Sequence, residues 1–125
     1  MNNLRFAGLL VAGWLMLPTI ASAAGDAAAG ARLFKVQCGA CHAIEDGTNK
    51  VGPSLFGLIG RKSGSVEGFR YSAANRNSNI TWTDEVLDNY LANPRAVIPG
   101  TNMPYIGLKN DTQRNNLIAY LETLK

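Results

Sequence analysis

The chain has 125 residues, a mass of 13.4 kDa and a formal net charge of +3, from 12 basic and 9 acidic side chains. That length fits one domain rather than two, and 13 Gly with 5 Pro call for many turns in so short a chain. The basic residues are scattered, with no polybasic run, so nucleic-acid binding has no support.

Residues 1–5 carry Arg5 and no acid, and residues 6–17 are a nearly unbroken apolar run. Pro18 follows, and Ala21-Ser22-Ala23 fits a small-x-small cleavage site. The pattern predicts a secretory signal peptide over 1–23 and a mature domain over 24–125. An uncleaved membrane anchor is the alternative, but the apolar run falls short of the roughly 20 residues a spanning helix needs. Export places the mature chain in the periplasm, an oxidising compartment. Losing Arg5 with the leader lowers the formal charge from +3 to +2. A domain of this size builds only a small core, which a large buried cofactor would supplement.

In the mature chain, Asp26 is placed to cap a helix beginning "AAAGARLFKVQC", with Gly30 and Phe34 four apart on one face. A glycine inside a helix costs up to about 1 kcal/mol, a cost that close approach of another helix would justify. Residues 45–68 read as a long loop punctuated by Gly47, Gly52, Pro53, Gly57, Gly60, Gly64 and Gly68. So long a loop in a compact domain is expected to wrap something. Residues 71–77 suit a short helix. Thr83 caps a better one, with Asp84 and Glu85 in its first turn and Val86, Leu87, Tyr90 and Leu91 as its apolar face. Asn93-Pro94 ends it. A second loop, "RAVIPGTNMPYIGLKN", leads to a last helix starting at Asp111 or Thr112, with Leu117, Leu121 and Leu124 on one stripe. The expected class is all-α, with long Gly/Pro loops between helices.

Both cysteines and the single histidine lie within "CGACH", Cys38 to His42. A redox disulfide is one reading, but the chain lacks the strands of a βαβ context. A zinc site is another, but it has two thiols and one imidazole with no second cysteine pair or histidine, and adjacent Cys41 and His42 cannot easily reach one tetrahedral centre. The third is covalent haem attachment, for which C-x-x-C-H is the signature. Cysteines three apart on a helical turn project to one side, where both thiols can bond to the two vinyl groups of a haem, and His42 can reach the iron. This reading alone accounts for all three residues.

Bis-histidine ligation is excluded by the single His, so the sixth iron position needs another donor. Met1 and Met16 lie in the leader, which leaves Met103 in the loop Ile98-Pro99-Gly100-Thr101-Asn102-Met103-Pro104. A lone Met more often fills a core, but this one sits in a loop stiffened by prolines on both sides. A His/Met pair closes both axial positions and raises the reduction potential, which suits electron transfer rather than substrate chemistry. A two-haem peroxidase would need a second C-x-x-C-H, which the sequence lacks, and the open-site four-helix cytochromes carry theirs near the C-terminus.

From Gly25 to about Leu124 the chain resembles the class I c-type cytochromes, in particular the group of mitochondrial cytochrome c and bacterial cytochrome c2. "CGACH", "VGPSLFGLIGRKSG", "GFRYSAANRN", "ITW", "YLANP" and "IPGTNM" carry the resemblance, in order and close to family spacing. It implies an all-α cytochrome c fold of about four to five helices wrapped around one covalently bound haem c, with the first and last helices crossing through Gly30, Phe34, Leu117 and Tyr120. It also implies an electron carrier and not an enzyme. By that resemblance Cys38 and Cys41 bear the thioethers, and His42 and Met103 are the axial ligands. Pro53 offers its carbonyl to the ligand histidine. Arg61, Tyr71 and Trp82 surround the haem propionates, and Asn75, Tyr90 and Thr101 form a polar set near the Met sulfur.

Two departures stand out. After Met103 the chain reads Pro104-Tyr105-Ile106-Gly107, where eukaryotic members commonly place an aliphatic residue and then Phe. The dense lysine ring of the mitochondrial proteins is also missing, with Lys35, Lys50, Lys62 and Lys109 in its place, which implies weaker electrostatic steering. The expected protein is a monomeric, periplasmic carrier that docks briefly on membrane or periplasmic redox proteins. Its donor would be a quinol-oxidising complex or dehydrogenase, and its acceptor a terminal oxidase or photosynthetic reaction centre.

Overall fold

A computed structural model describes residues 24–125. The predicted leader, 1–23, lies outside the described residues. Five helices follow in order: α1 (Ala27–Gln37), α2 (Ala73–Asn77), α3 (Asp84–Ala92), α4 (Pro94–Val97) and α5 (Asp111–Leu121). Among the described residues the only strand-like pairing is an isolated antiparallel bridge between Lys62 and Thr81. The all-α expectation holds.

Each helix begins where a short polar side chain satisfies orphan N–H groups. Asp26 accepts from the N–H groups of Ala28 and Ala29, Thr83 from Val86, and Asn110 from Gln113. Two boundaries differ from expectation. The short helix starts at Ala73 rather than 71, because Ser72 is its cap and accepts from Asn75 N–H. Asn93-Pro94 ends α3 as expected, but it also begins α4. Asn93 Oδ1 accepts from Ala96 N–H, and Pro94, at the first helical turn, has no N–H to leave unpaired.

The architecture is set by α1 crossing α5. At Gly30 a Cβ would run into the Asn116 carbonyl of α5 and the Tyr120 side chain, so the helices meet only because there is none. Phe34 stacks tilted on Tyr120 with ring centroids 5.5 Å apart, an arrangement that contributes about 1 kcal/mol beyond area burial. Leu117, 1% exposed, sits at the centre of the core, and its burial contributes about 2 kcal/mol. Leu87, Tyr90 and Leu91 of α3 pack into the same cluster with Trp82, Ile98, Ile118 and Leu121.

Arg114 on α5 was not anticipated from the sequence. It is buried, and its Nε donates to Asp88 of α3 at 2.8 Å, its Nη2 to Asp111 at 2.7 Å and its Nη1 to the Leu108 carbonyl at 3.0 Å. One guanidinium thus joins α3, α5 and the end of the 98–110 loop. The hydrogen bond to Asp88 is the main influence holding its charge, raising its pKa above the usual arginine value.

Candidate haem site

The site begins where α1 stops. The Cys38 carbonyl accepts from Cys41 N–H at 3.0 Å and from His42 N–H at 2.9 Å, so "CGACH" continues as a helical turn. The long loop is stitched back onto it. Gly52 N–H donates to the Cys41 carbonyl, Leu55 N–H to that of Ala43, and Lys50 Nζ to that of Gly39, each at 2.8–2.9 Å. The loop does wrap something: a cavity of about 490 Å³, within the size range of cofactor sites.

Every residue that the resemblance assigned to the haem site lines this cavity. Cys38, Cys41 and His42 come from the turn after α1, Pro53 and Arg61 from the long loop, Tyr71 from the segment just before α2, and Asn75 from α2. Trp82 lies two residues before α3, Tyr90 within it, and Thr101 and Met103 on the second loop. Leu58, Leu87, Leu91, Leu117 and Leu121 also face it. The sequence marked several of these only as core, because periodicity gives a buried face without saying what that face meets.

His42 Nδ1 lies 2.7 Å from the Pro53 carbonyl. A carbonyl only accepts, so Nδ1 carries the proton and Nε2 keeps a lone pair. Burial lowers the His42 pKa, the Pro53 bond opposes that shift, and the nearby Arg61 charge adds to it. At neutral pH the ring is therefore a neutral donor with fixed orientation. Gly52, read from the sequence as a loop punctuator, proves part of the site. A Cβ there would strike the imidazole ring, a contact no local sequence signal reveals.

Tyr90 O–H donates to Met103 Sδ at 3.5 Å and lies 3.4 Å from Thr101 Oγ1, and Met103 N–H donates to that same oxygen at 3.3 Å. Thr101 thus fixes the turn that presents the thioether. Trp82 meets Tyr90 edge-on, centroids 4.8 Å apart. Arg61 is set beside Trp82 by backbone pairing, Trp82 N–H to the Arg61 carbonyl at 2.9 Å and Gly60 N–H to that of Trp82 at 2.8 Å. Its Nη1 donates to the Phe56 carbonyl, while its buried Nε has no partner. Burial lowers its pKa. Tyr71 accepts at its hydroxyl from Val66 N–H at 3.1 Å, which leaves its O–H free to donate.

The two thiols are not joined in a disulfide. Burial, with Cys41 beside it, pushes the Cys38 pKa up to about 11, so this sulfur keeps its proton at neutral pH. Among the described residues no group of three or more His, Cys, Asp or Glu side chains could hold a metal ion directly. A haem fits the donor set well. The cavity walls are apolar, two thiols lie on one turn, an imidazole and a thioether line the same space, and a buried guanidinium N–H lacks an acceptor that an acidic substituent would provide.

An all-α shell around a cavity with this donor set fits one class, the small haem-bearing electron carriers. Within that class the chain belongs to the cytochrome c family, whose family model, described as "Cytochrome c", matches residues 27–125. Members carry one covalently attached haem c and pass electrons between redox proteins without acting as enzymes. The chain is 54% identical over 101 residues to a cytochrome c from Gibberella zeae, covering 80% of this chain and 95% of that one. It is 54% identical over 102 residues to a cytochrome c2 from Blastochloris viridis, covering 81% and 80%. Against a cytochrome c from Nigella damascena the identity is 47% over 100 residues, covering 79% and 90%.

Proposed function

We propose that this cytochrome is exported by cleavage after Ala23 and works in the periplasm, with haem c bonded to Cys38 and Cys41 and its iron held between His42 and Met103. The observation that carries the axial assignment is that the lone histidine, with Nε2 left free, shares one cavity with the only methionine of residues 24–125. The likeness to a bacterial cytochrome c2 and the leader-like start support the location. No described helix is long and apolar enough to cross a membrane.

A bound haem would supply the Fe(III)/Fe(II) couple, and the polypeptide would set how it behaves. The Pro53 carbonyl orients His42 and makes it the better donor. The Tyr90 hydroxyl donates to the Met103 sulfur, which would make it a weaker donor and favour the lower charge of an iron it ligated. Buried leucines keep water away, so little solvent rearranges when the charge changes. Arg61 Nε, which has no partner, and the Tyr71 hydroxyl, whose O–H is free to donate, would serve as donors to haem propionates.

The rim of the cavity supports docking through apolar contact. Val36, Val51 and Ile106 are 83%, 75% and 85% exposed. Val51 lines the cavity, and the other two adjoin the lining residues Gln37 and Tyr105. Redox partners bound there would be held briefly, as small redox interfaces are. Stopped-flow reduction of the ferric protein by purified candidate donor complexes, run over a salt series, tests the reading. The bimolecular rate is expected to fall less than about fivefold between about 10 mM and 0.2 M salt, because few charges steer the encounter. A fall of two orders of magnitude would mean docking by charge, and peroxide turnover in place of one-electron exchange would contradict the carrier role.

A further inference from the structure

The 98–110 loop is held firmly at both ends. At its start Thr101 N–H donates to the Ile98 carbonyl at 3.1 Å, Met103 N–H to Thr101 Oγ1, and Tyr90 O–H to Met103 Sδ. At its end Leu108 N–H donates to the Leu91 carbonyl at 2.8 Å, and Arg114 Nη1 binds the Leu108 carbonyl. Between these anchors residues 104–107 make no backbone–backbone hydrogen bond, and Ile106 is 85% exposed. One polar tie crosses the gap: the Tyr105 hydroxyl donates to Oε1 of Gln37, the last residue of α1 and 68 positions away in sequence. Gln37, Tyr105 and Met103 all line the cavity, so this bond ties the end of α1, next to Cys38, to the loop that carries Met103.

We propose that Tyr105 and Gln37 form a latch between the end of α1 and the Met103 loop that keeps this loop closed and so sets how readily the Met103 sulfur gives way to an outside ligand. The inference rests on Met103 being the axial ligand. Both are positioning residues, acting through the loop rather than on the iron. Two neighbouring features add to the case. Pro104 fixes φ between the ligand and the latch, so motion at Tyr105 is transmitted to Met103 with little slack. Gly107, at φ +110°, lies against the Ala92 carbonyl with no room for a Cβ, so the segment beyond the latch has a firm pivot. Opening residues 104–107 therefore requires breaking one polar bond, the latch.

The test uses the holoprotein in its ferric form, titrated with imidazole as the outside ligand and followed by the weak red-edge band of Met–iron(III) bonding. Tyr105→Phe keeps the ring and removes only the hydroxyl. Gln37→Leu removes the acceptor at similar volume. Each is expected to raise apparent imidazole affinity roughly fivefold, the effect of one neutral hydrogen bond. The double variant is expected to match the singles, because both remove the same bond. Denaturant midpoints measured alongside separate the latch from general loosening, since global destabilisation alone would lower the midpoint while leaving the double-variant affinities additive. A wild-type band with unchanged affinity in Tyr105→Phe, or additive effects in the double variant, overturns the latch alone. A wild-type protein without the band overturns the axial assignment, and the latch with it.

Discussion

Gly30→Val is expected to lower unfolding stability by about 3 kcal/mol or more, at the upper end of overpacking effects. The reason is backbone rather than side chain. The space a Cβ would occupy is filled by the Asn116 carbonyl, which cannot rotate away as a side chain can, and by the Tyr120 side chain. The α1–α5 crossing must widen, which opens the Phe34–Tyr120 contact and exposes Leu117. Against a total stability on the order of 5–15 kcal/mol for such a domain, this is a large fraction. Guanidinium unfolding followed by circular dichroism measures it. Ala28→Val supplies the control, because Ala28 is an exposed residue of the same helix and should cost only the few tenths of a kcal/mol of its weaker helix propensity. Equal losses in the two variants would refute the crossing argument.

Met103→Ala is expected to abolish the weak red-edge band, lower the reduction potential and raise imidazole affinity by two to three orders of magnitude. A native protein that shows its iron to outside ligands only in a minor open state suffers a proportional loss of apparent affinity. If that state is about 0.1–1% populated, deleting the competing sulfur restores the full value. The potential falls because thioether ligation favours the reduced iron. The fold should persist, since Met103 is only partly buried and the loop keeps its anchors at Ile98 and Leu108. A variant that kept the band would show that the sixth ligand lies elsewhere.

Much of the fold was legible because it rests on local chemistry. Asp26 and Thr83 mark helix starts by the hydrogen bonds a short side chain can reach, and the Leu117–Leu121 stripe follows from helical period. The second role of Asn93-Pro94 was missed because the residues that stop α3 also start α4, and a stop signal hides a start signal behind it. "CGACH" was legible for the same local reason, with thiols and imidazole set within one turn. The resemblance then drew in residues scattered from Pro53 to Thr101, all of which the fold brings to one cavity. Gly52 behind the imidazole, Arg114 linking three segments and the Gln37–Tyr105 tie stayed invisible. Each depends on two distant stretches meeting, and nothing in either stretch alone records the other.

Intact mass spectrometry of the protein recovered from the periplasmic fraction of a host able to mature c-type cytochromes tests the central claim most directly. The account predicts a red protein whose mass equals residues 24–125 plus one haem, and a Cys38→Ala/Cys41→Ala variant that is colourless and lighter by the haem and two sulfur atoms. A colourless wild-type protein weighing no more than its amino acids would contradict it.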